Sequence, residues 1–198
     1  QTLSGSVAVP AKGYTATFNS STGTGYLFGA MFEKPEIAMR VALTYNTAVK
    51  HDIGTTENSV LNTTTTVNTP RSINLDFQTG VAADTLVFGS VRWVEWKSFE
   101  LKPAGFAGAN SGAALLSYAQ NAITYEAGVG RKFNDKWSGA ATIGYEKAQG
   151  GTASDLAPTD GYFSFGLGAT FAATDTSQIT IGAKYLKLGD ATTACGAS

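Results

Sequence analysis

In the stretch GYFSFGLGATF, Gly161 to Phe171, large apolar side chains occupy odd positions: Phe163, Phe165, Leu167 and Phe171. Tyr162, Ser164, Gly166, Gly168 and Thr170 fall between them. A spacing of two is the signature of a strand with two unlike faces. The same spacing recurs along the chain. GYLFGAMF sets Tyr26, Phe28, Ala30 and Phe32 on one face, and IAMRVALTY sets Ile37, Met39, Val41, Leu43 and Tyr45 against Ala38, Arg40, Ala42 and Thr44. RSINLDFQ alternates Ile73, Leu75 and Phe77 with Ser72, Asn74, Asp76 and Gln78. TLVFGSVRW places Val87, Val91 and Trp93 against Ser90 and Arg92, with Phe88 out of step. AITYEAGVG, WSGAATIGY and QITIGAKY complete a set of eight predicted strands.

The connectors alternate in length. Lys34 to Glu36, Thr79 to Asp84, Asn134 to Lys136 and Ala173 to Thr176 are short, whereas His51 to Pro70, Leu101 to Gln120 and Gly150 to Asp160 are long. This pattern predicts hairpins with tight turns at one end and long loops at the other. No composition shift or repeat divides the chain, so residues 1–198 read as one β-barrel segment.

Aromatic positions add a direction. Tyr45, Tyr125, Tyr145 and Tyr185 fall near the long-loop ends; Phe77, Phe133, Trp137 and Phe171 fall near the short turns. Between them lies a band of Val, Ile, Leu, Ala and Gly. A transmembrane barrel wall needs an outward apolar band, aromatic girdles at both interfaces, short turns on one side and longer loops on the other. A soluble sandwich would instead show charge on its outer face. The expected fold is therefore all-β, an antiparallel up-and-down transmembrane barrel, with water on the Gly/Ser/Thr face and lipid on the other.

Composition agrees. Charged residues are 15% of the chain, below the roughly 25% of soluble domains, and glycine counts 23. The net charge of −1 gives no electrostatic footprint for nucleic acid. Cys195 is the single cysteine, which excludes an intrachain disulfide and a cysteine metal cluster. No run approaches 18 apolar residues, and no signal-peptide pattern opens the chain.

Catalytic chemistry finds no footing. His51 is the only histidine and reads as a loop residue; no GxSxG surrounds a serine, and no P-loop is present. Gly128/Gly130 and Gly166/Gly168 lack a third glycine and a following helix, which rejects a dinucleotide site. The glycosylation-like triplets at Asn19 and Asn62 read as chance. No enzyme activity, cofactor, metal or catalytic residue is expected. What remains is a set of polar side chains on the expected lumen face: Arg40, Asn74, Asp76, Arg92, Glu126, Glu146 and Lys184. Mutual pairing across the lumen and contact with a substrate are both open to them. The loop from Leu101 to Tyr118 carries Phe106, Leu115, Leu116 and Tyr118, with Phe99 just before it. These side chains either catch a hydrophobic ligand or pack over the barrel mouth.

Several of these motifs together resemble a known family. GTGYLFGAMFEKPEIAMRVALTYNTAVKHDI, PRSINLDFQTGVAADTLVFGSVRWVEWKSFEL and YEAGVGRKFNDKWSGAATIGYE resemble strand motifs of the FadL family, outer-membrane transporters of long-chain fatty acids and other hydrophobic compounds. The resemblance runs over about residues 23 to 190. It implies a fourteen-stranded barrel, a lumen plugged by an N-terminal hatch, and ligand released through the wall. Only eight of those strands are expected here, without the hatch or the terminal strand, so the chain reads as part of a larger barrel, with a small closed barrel as the alternative. The polar NTTTTVNT run between His51 and Pro70 departs from an apolar entry groove.

The expected function is passive uptake of long-chain fatty acids or other hydrophobic compounds across the bacterial outer membrane, with lipid and a hydrophobic solute as partners and no protein partner assigned. A porin-like or structural barrel with a polar lumen is the alternative, and a soluble binding sandwich the third reading.

Overall fold

The computed structural model describes residues 1–9, 13–148, 150, 152–153 and 160–193. Cys195 lies outside the described residues, as does most of the segment between Gly150 and Asp160. In chain order the strands are β1 (Thr2–Val9), β2 (Tyr14–Thr22), β3 (Leu27–Lys34), β4 (Met39–Asn46), β5 (Val49–Glu57), β6 (Leu61–Thr69), β7 (Ser72–Ala82) and β8 (Thr85–Val94). They continue as β9 (Glu100–Leu101), β10 (Leu116–Ser117), β11 (Ala122–Lys132), β12 (Trp137–Glu146), β13 (Thr152–Ala153), β14 (Tyr162–Thr174), β15 (Ser177–Leu188) and β16 (Thr192–Thr193). One short helix, α1 (Ala104–Ala109), lies between β9 and β10.

Eight of these strands form one antiparallel sheet in the order β15-β14-β12-β11-β8-β7-β4-β3. They correspond to the eight strands read from the period-two segments. The sheet is an up-and-down meander whose edges, β3 and β15, do not pair with each other, so the barrel is not closed. Tight turns join β3 to β4, β7 to β8, β11 to β12 and β14 to β15 at one end. At that end Asn134 Oδ1 accepts hydrogen bonds from the backbone N–H of Lys136 and Trp137, each at 2.9 Å, fixing one turn.

The register sorts side chains into layers. On one face, Leu75, Val91, Tyr125, Tyr145 and Phe163 share a row. Phe77, Ala127, Ile143, Phe165 and Tyr185 share the next, with Gly89 beside Phe77. Leu167 is 56% and Ile181 73% exposed, and their neighbours on this face are similar. A continuous exposed apolar wall of this extent is incompatible with water and matches hydrocarbon. Trp137 and Phe171 pack at the turn end as a tilted pair, with ring centroids 4.8 Å apart. Phe77 and Tyr185 share a row with four strands between them; because barrel strands tilt by about 35–45°, such a row climbs along the barrel axis, and sharing it does not put the two rings at one depth.

A second sheet, order β1-β2-β5-β6, grows from the loop end. Here the sequence reading is corrected: His51 to Pro70 is not a loop but a hairpin that prolongs β4 and β7. Its tip, Asn58 to Val60, joins the paired Glu57 and Leu61; Asn58 and Ser59 both have positive φ (49° and 62°), and Val60 N–H donates to Glu57 O at 3.1 Å. Apolar spacing was a poor guide because His51, Thr55 and Thr65 interrupt the buried row of Val49, Ile53 and Val67. Among the described residues the hydrophobic core cluster sits here: Tyr14, Ala16, Phe106 and Leu115 pack together against Val7, Val9, Phe18 and Leu101.

Candidate functional site

Opposite the apolar wall, the large sheet presents its polar face as stacked rows. Nearest the extension, Leu27, Asn46, Ser72, Val94 and Ala122 align. The second row is Gly29, Thr44, Asn74, Arg92, Thr124, Glu146, Tyr162 and Leu188. The third holds Met31, Ala42, Asp76, Ser90, Glu126, Gly144, Ser164 and Leu186. The fourth holds Glu33, Arg40, Gln78, Phe88, Gly128, Thr142, Gly166 and Lys184.

All seven side chains singled out from the sequence lie in rows two to four, and most are brought into pairs. Arg92 Nη1 donates to Asn74 Oδ1 at 2.9 Å. Lys184 Nζ lies 2.7 Å from Glu126 Oε2. Thr124 Oγ1 donates to Glu146 Oε2 at 2.6 Å. Arg40 Nε donates to Glu33 Oε1 at 2.6 Å, a partner the sequence reading missed because it ended β3 at Phe32. Asp76 sits one row from Arg92 without joining an ion pair among the described residues.

Glycines shape the floor. Phe88, out of step in the sequence pattern, lies on the polar face, and a Cβ at Gly128 would fall 2.5 Å from its ring. Below it the fifth row is Gly80, Leu86, Gly130, Ala140, Gly168 and Gly182, almost without side chains. A recess of about 600 Å³ opens along this belt. The paired glycines that fail as a nucleotide motif thus keep one face of the sheet clear.

At the other end, a recess of about 680 Å³ lies between the large sheet and the extension. Tyr26, Leu27, Val49, Val94, Trp96 and Phe99 supply its apolar surface; Asn46, Ser72, Asn74 and Arg92 supply polar groups. Trp96, Phe99 and Tyr118 form a three-ring cluster, with centroids 4.9 to 5.9 Å apart. Tyr118 is half-buried, and burial raises its pKa. Trp96 carries no periodic signal, which is why pattern reading passed over it.

The loop candidates divide. Phe106 and Leu115 are buried against the extension sheet, whereas Leu116 is half-buried and pairs with Leu101. The clasp that holds this loop is Glu57, which is 1% exposed. Its Oε2 accepts from Tyr14 Oη at 2.7 Å and from Phe106 N at 2.8 Å; its Oε1 accepts from Gly105 N and Thr63 Oγ1, each at 2.9 Å. Burial pushes the carboxyl pKa up, but these four donors outweigh it and hold the group below its ordinary value. Burial, then the hydrogen bond to Glu57 and its charge, push the Tyr14 phenol well above its ordinary value.

His51 is corrected as well. It is fully buried in the extension, opposite Val67 on β6, and neither ring nitrogen has a hydrogen-bond partner among the described residues. Among the described residues, no cluster of three His, Cys, Asp or Glu side chains is placed to hold a metal.

Residues 11–195 match the family model described as outer membrane protein transport protein, OMPP1/FadL/TodX. No curated protein sequence matches the chain. Among solved structures the chain is similar to a Pseudomonas aeruginosa FadL homologue, with TM-score 0.61 and 16% identity, covering 88% of this chain and 46% of that one. It is also similar to the CymD monoaromatic hydrocarbon channel, with TM-score 0.57 and 13% identity, covering 88% of this chain and 51% of that one. The chain therefore spans about half the length of these structures.

Proposed function

The chain belongs to the OMPP1/FadL/TodX family of outer-membrane transport proteins, and we propose that it forms part of a channel for passive entry of hydrophobic small molecules. It resides in the bacterial outer membrane. On this reading the polar face lines the lumen, and Arg40, Asn74, Asp76, Arg92, Glu126, Glu146 and Lys184 face the path. Partner strands in the rest of a longer barrel would satisfy the open edges of β3 and β15, since unpaired backbone groups are not tolerated in hydrocarbon.

The observation that carries the proposal is the upper recess. It sets Trp96, Phe99, Tyr26 and Leu27 against the Arg92–Asn74 pair, at the point where the loop meets the lumen. An apolar molecule with a small polar end can lie there, its body on the rings, before passing to the glycine belt. Long-chain fatty acids and monoaromatic compounds are the two substrate classes to test. No energy source is required: the solute moves down its gradient.

Uptake of a labelled long-chain fatty acid and of toluene into proteoliposomes carrying the full-length protein tests the proposal. Transport of either, slowed by Trp96→Ala, supports it. The second reading, a polar-solute porin, is favoured by the charged rows two to four. High ion conductance with no uptake of either solute would select it.

A further inference from the structure

Beyond the aromatic rim of the apolar wall, the strands continue into the extension and the outer surface changes chemistry. Val49 and Thr69 border the same recess as Asn46 and Ser72, so the buried face of β5 and β6 prolongs the polar face of the large sheet. Their opposite face prolongs the lipid-facing wall. Thr17, Thr64, Thr66 and Asn68 stand exposed on it. Thr66 Oγ1 donates to Asp52 Oδ1 at 2.6 Å, and Thr56 Oγ1 to Asn62 Oδ1 at 2.9 Å. At Gly54 the surface is flat enough for the Asn19 amide to lie over the strand, 3.2 Å from where a Cβ would stand.

Among the described residues, charge on this strip is spoken for. Lys50 pairs with Asp52 at 3.1 Å. At the junction, Arg71 lies over the Trp93 ring, 5.9 Å from its centroid, and donates to Glu95 at 2.6 Å. Both cations, Lys50 and Arg71, are thus already partnered, while the hydroxyls keep lone pairs for further bonds even where, as at Thr56 and Thr66, the proton is used.

We propose that this face is a docking surface for the saccharide head of the glycolipid in the outer leaflet of the same membrane, lipopolysaccharide. The glycolipid lies along the wall, its acyl chains on the apolar face and its sugars on the threonine and asparagine surface. Three observations select this occupant. The surface is continuous with the wall that already contacts lipid. At about 3.4 Å per residue, the nine residues of β5 reach about 30 Å past that wall, into the zone where the outer leaflet presents sugars. Its chemistry is neutral and rich in donors and acceptors, as saccharide hydroxyls require, and it lacks the apolar centre of a protein interface. With both cations paired, recognition falls on sugar and not on phosphate.

The inference rests on the position of the wall and not on transport, so a channel that carries nothing leaves it standing. The test uses the full-length protein in mild detergent and counts bound glycolipid by native mass spectrometry. The probes are lipopolysaccharide bearing its core saccharide, lipid A without the core, and phosphatidylglycerol. Core-bearing glycolipid should be retained at least about fivefold better than lipid A, at high as well as low salt. The triple variant Thr64→Ala, Thr66→Ala, Asn68→Ala should bring it down to the lipid A level while keeping the folded, heat-modifiable gel band. Should that variant misfold, Thr17→Ala serves, on β2 across β5 from the three. Equal retention of core-bearing glycolipid and lipid A, loss of both in high salt, or full retention by a folded variant would overturn the proposal.

Discussion

Lys184 Nζ and Glu126 Oε2 meet at 2.7 Å, although β12 and β14 lie between their strands. Two glycines make the reach possible. Glu126 is beside Gly144 on β12, and Lys184 is beside Gly166 on β14. Gly144 leaves room for Ser164 Oγ, 2.5 Å from where its Cβ would stand, and Gly166 leaves room for Thr142 Oγ1 at the same distance. The two long side chains lie flat across this small-residue floor and form a crossbar on the polar face.

Because both partners of the crossbar are more than a third exposed, the pair contributes little to stability, on the order of 1 kcal/mol or less. Its effect should appear in permeation. Lys184→Met is expected to leave the folded gel band unchanged and to make any residual ion conductance more cation-selective, since Glu126 loses its partner. The reversal potential of the full-length protein in planar bilayers under a salt gradient measures this. An unchanged potential would place the pair away from the ion path.

The two faces of β14 make a sharper contrast. Leu167 belongs to the apolar wall, and an arginine at the bilayer midplane costs about 2–4 kcal/mol. Gly166 points to the other side, where the one close contact of a Cβ would be Thr142 Oγ1 at 2.5 Å, relieved by a change of the Thr142 rotamer; Ala183 O and Lys184 Cγ stand at an ordinary 3.7 Å. Leu167→Arg should therefore block membrane assembly, whereas Gly166→Ser assembles normally. Heat-modifiable mobility of membrane fractions reads both, and equal tolerance would reverse the assignment of faces.

In the extension, His51 is buried with no hydrogen-bond partner on either ring nitrogen among the described residues. A buried donor left unsatisfied costs about 1–3 kcal/mol, and its strand neighbours Val49 and Ile53 are apolar. His51→Leu should raise the denaturation midpoint of the extension, followed by tryptic cleavage between Thr47 and Pro70. A lower midpoint would mean that the imidazole makes a contact worth more than its desolvation.

How much of this was legible in the sequence depends on the solvent. In the wall, lipid demands strict alternation, so Phe163, Phe165 and Leu167 announced both strand and face. That Arg92, Glu126 and Lys184 share one face of the sheet was legible for the same reason, since charge is costly against lipid. Phe88 broke the pattern because Gly128 on the next strand gives its ring a seat, a cross-strand fact invisible in local spacing. The extension was missed because water accepts threonine on either face; Thr55 and Thr65 are buried and bonded to each other at 2.8 Å, while Thr64 and Thr66 are exposed. Glu57 was missed because its partners Tyr14, Gly105 and Phe106 are 43, 48 and 49 positions away.

That clasp gives the loop a defined pH window. The Glu57 carboxyl is held below its ordinary value of about 4.5, so its contribution is present above that pH and lost as pH falls through the lower folded value. The Tyr14 phenol is raised above its ordinary value of 10.0, so its contribution is full below pH 10 and lost as pH rises beyond it. Protection of the segment 101–118 from hydrogen exchange should therefore be flat from about pH 5 to 9, falling on either side. Glu57→Gln turns one acceptor into an amide that faces the donors of Thr63 and Gly105, or of Tyr14 and Phe106. It should cost about 1–3 kcal/mol locally and remove the acid limb of the profile while the strands of the wall stay protected. Gly105→Ala should act in the same direction, because its Cβ would stand 2.7 Å from Glu57 Oε2. An acid limb that persists in Glu57→Gln would assign the loop's pH response to another group.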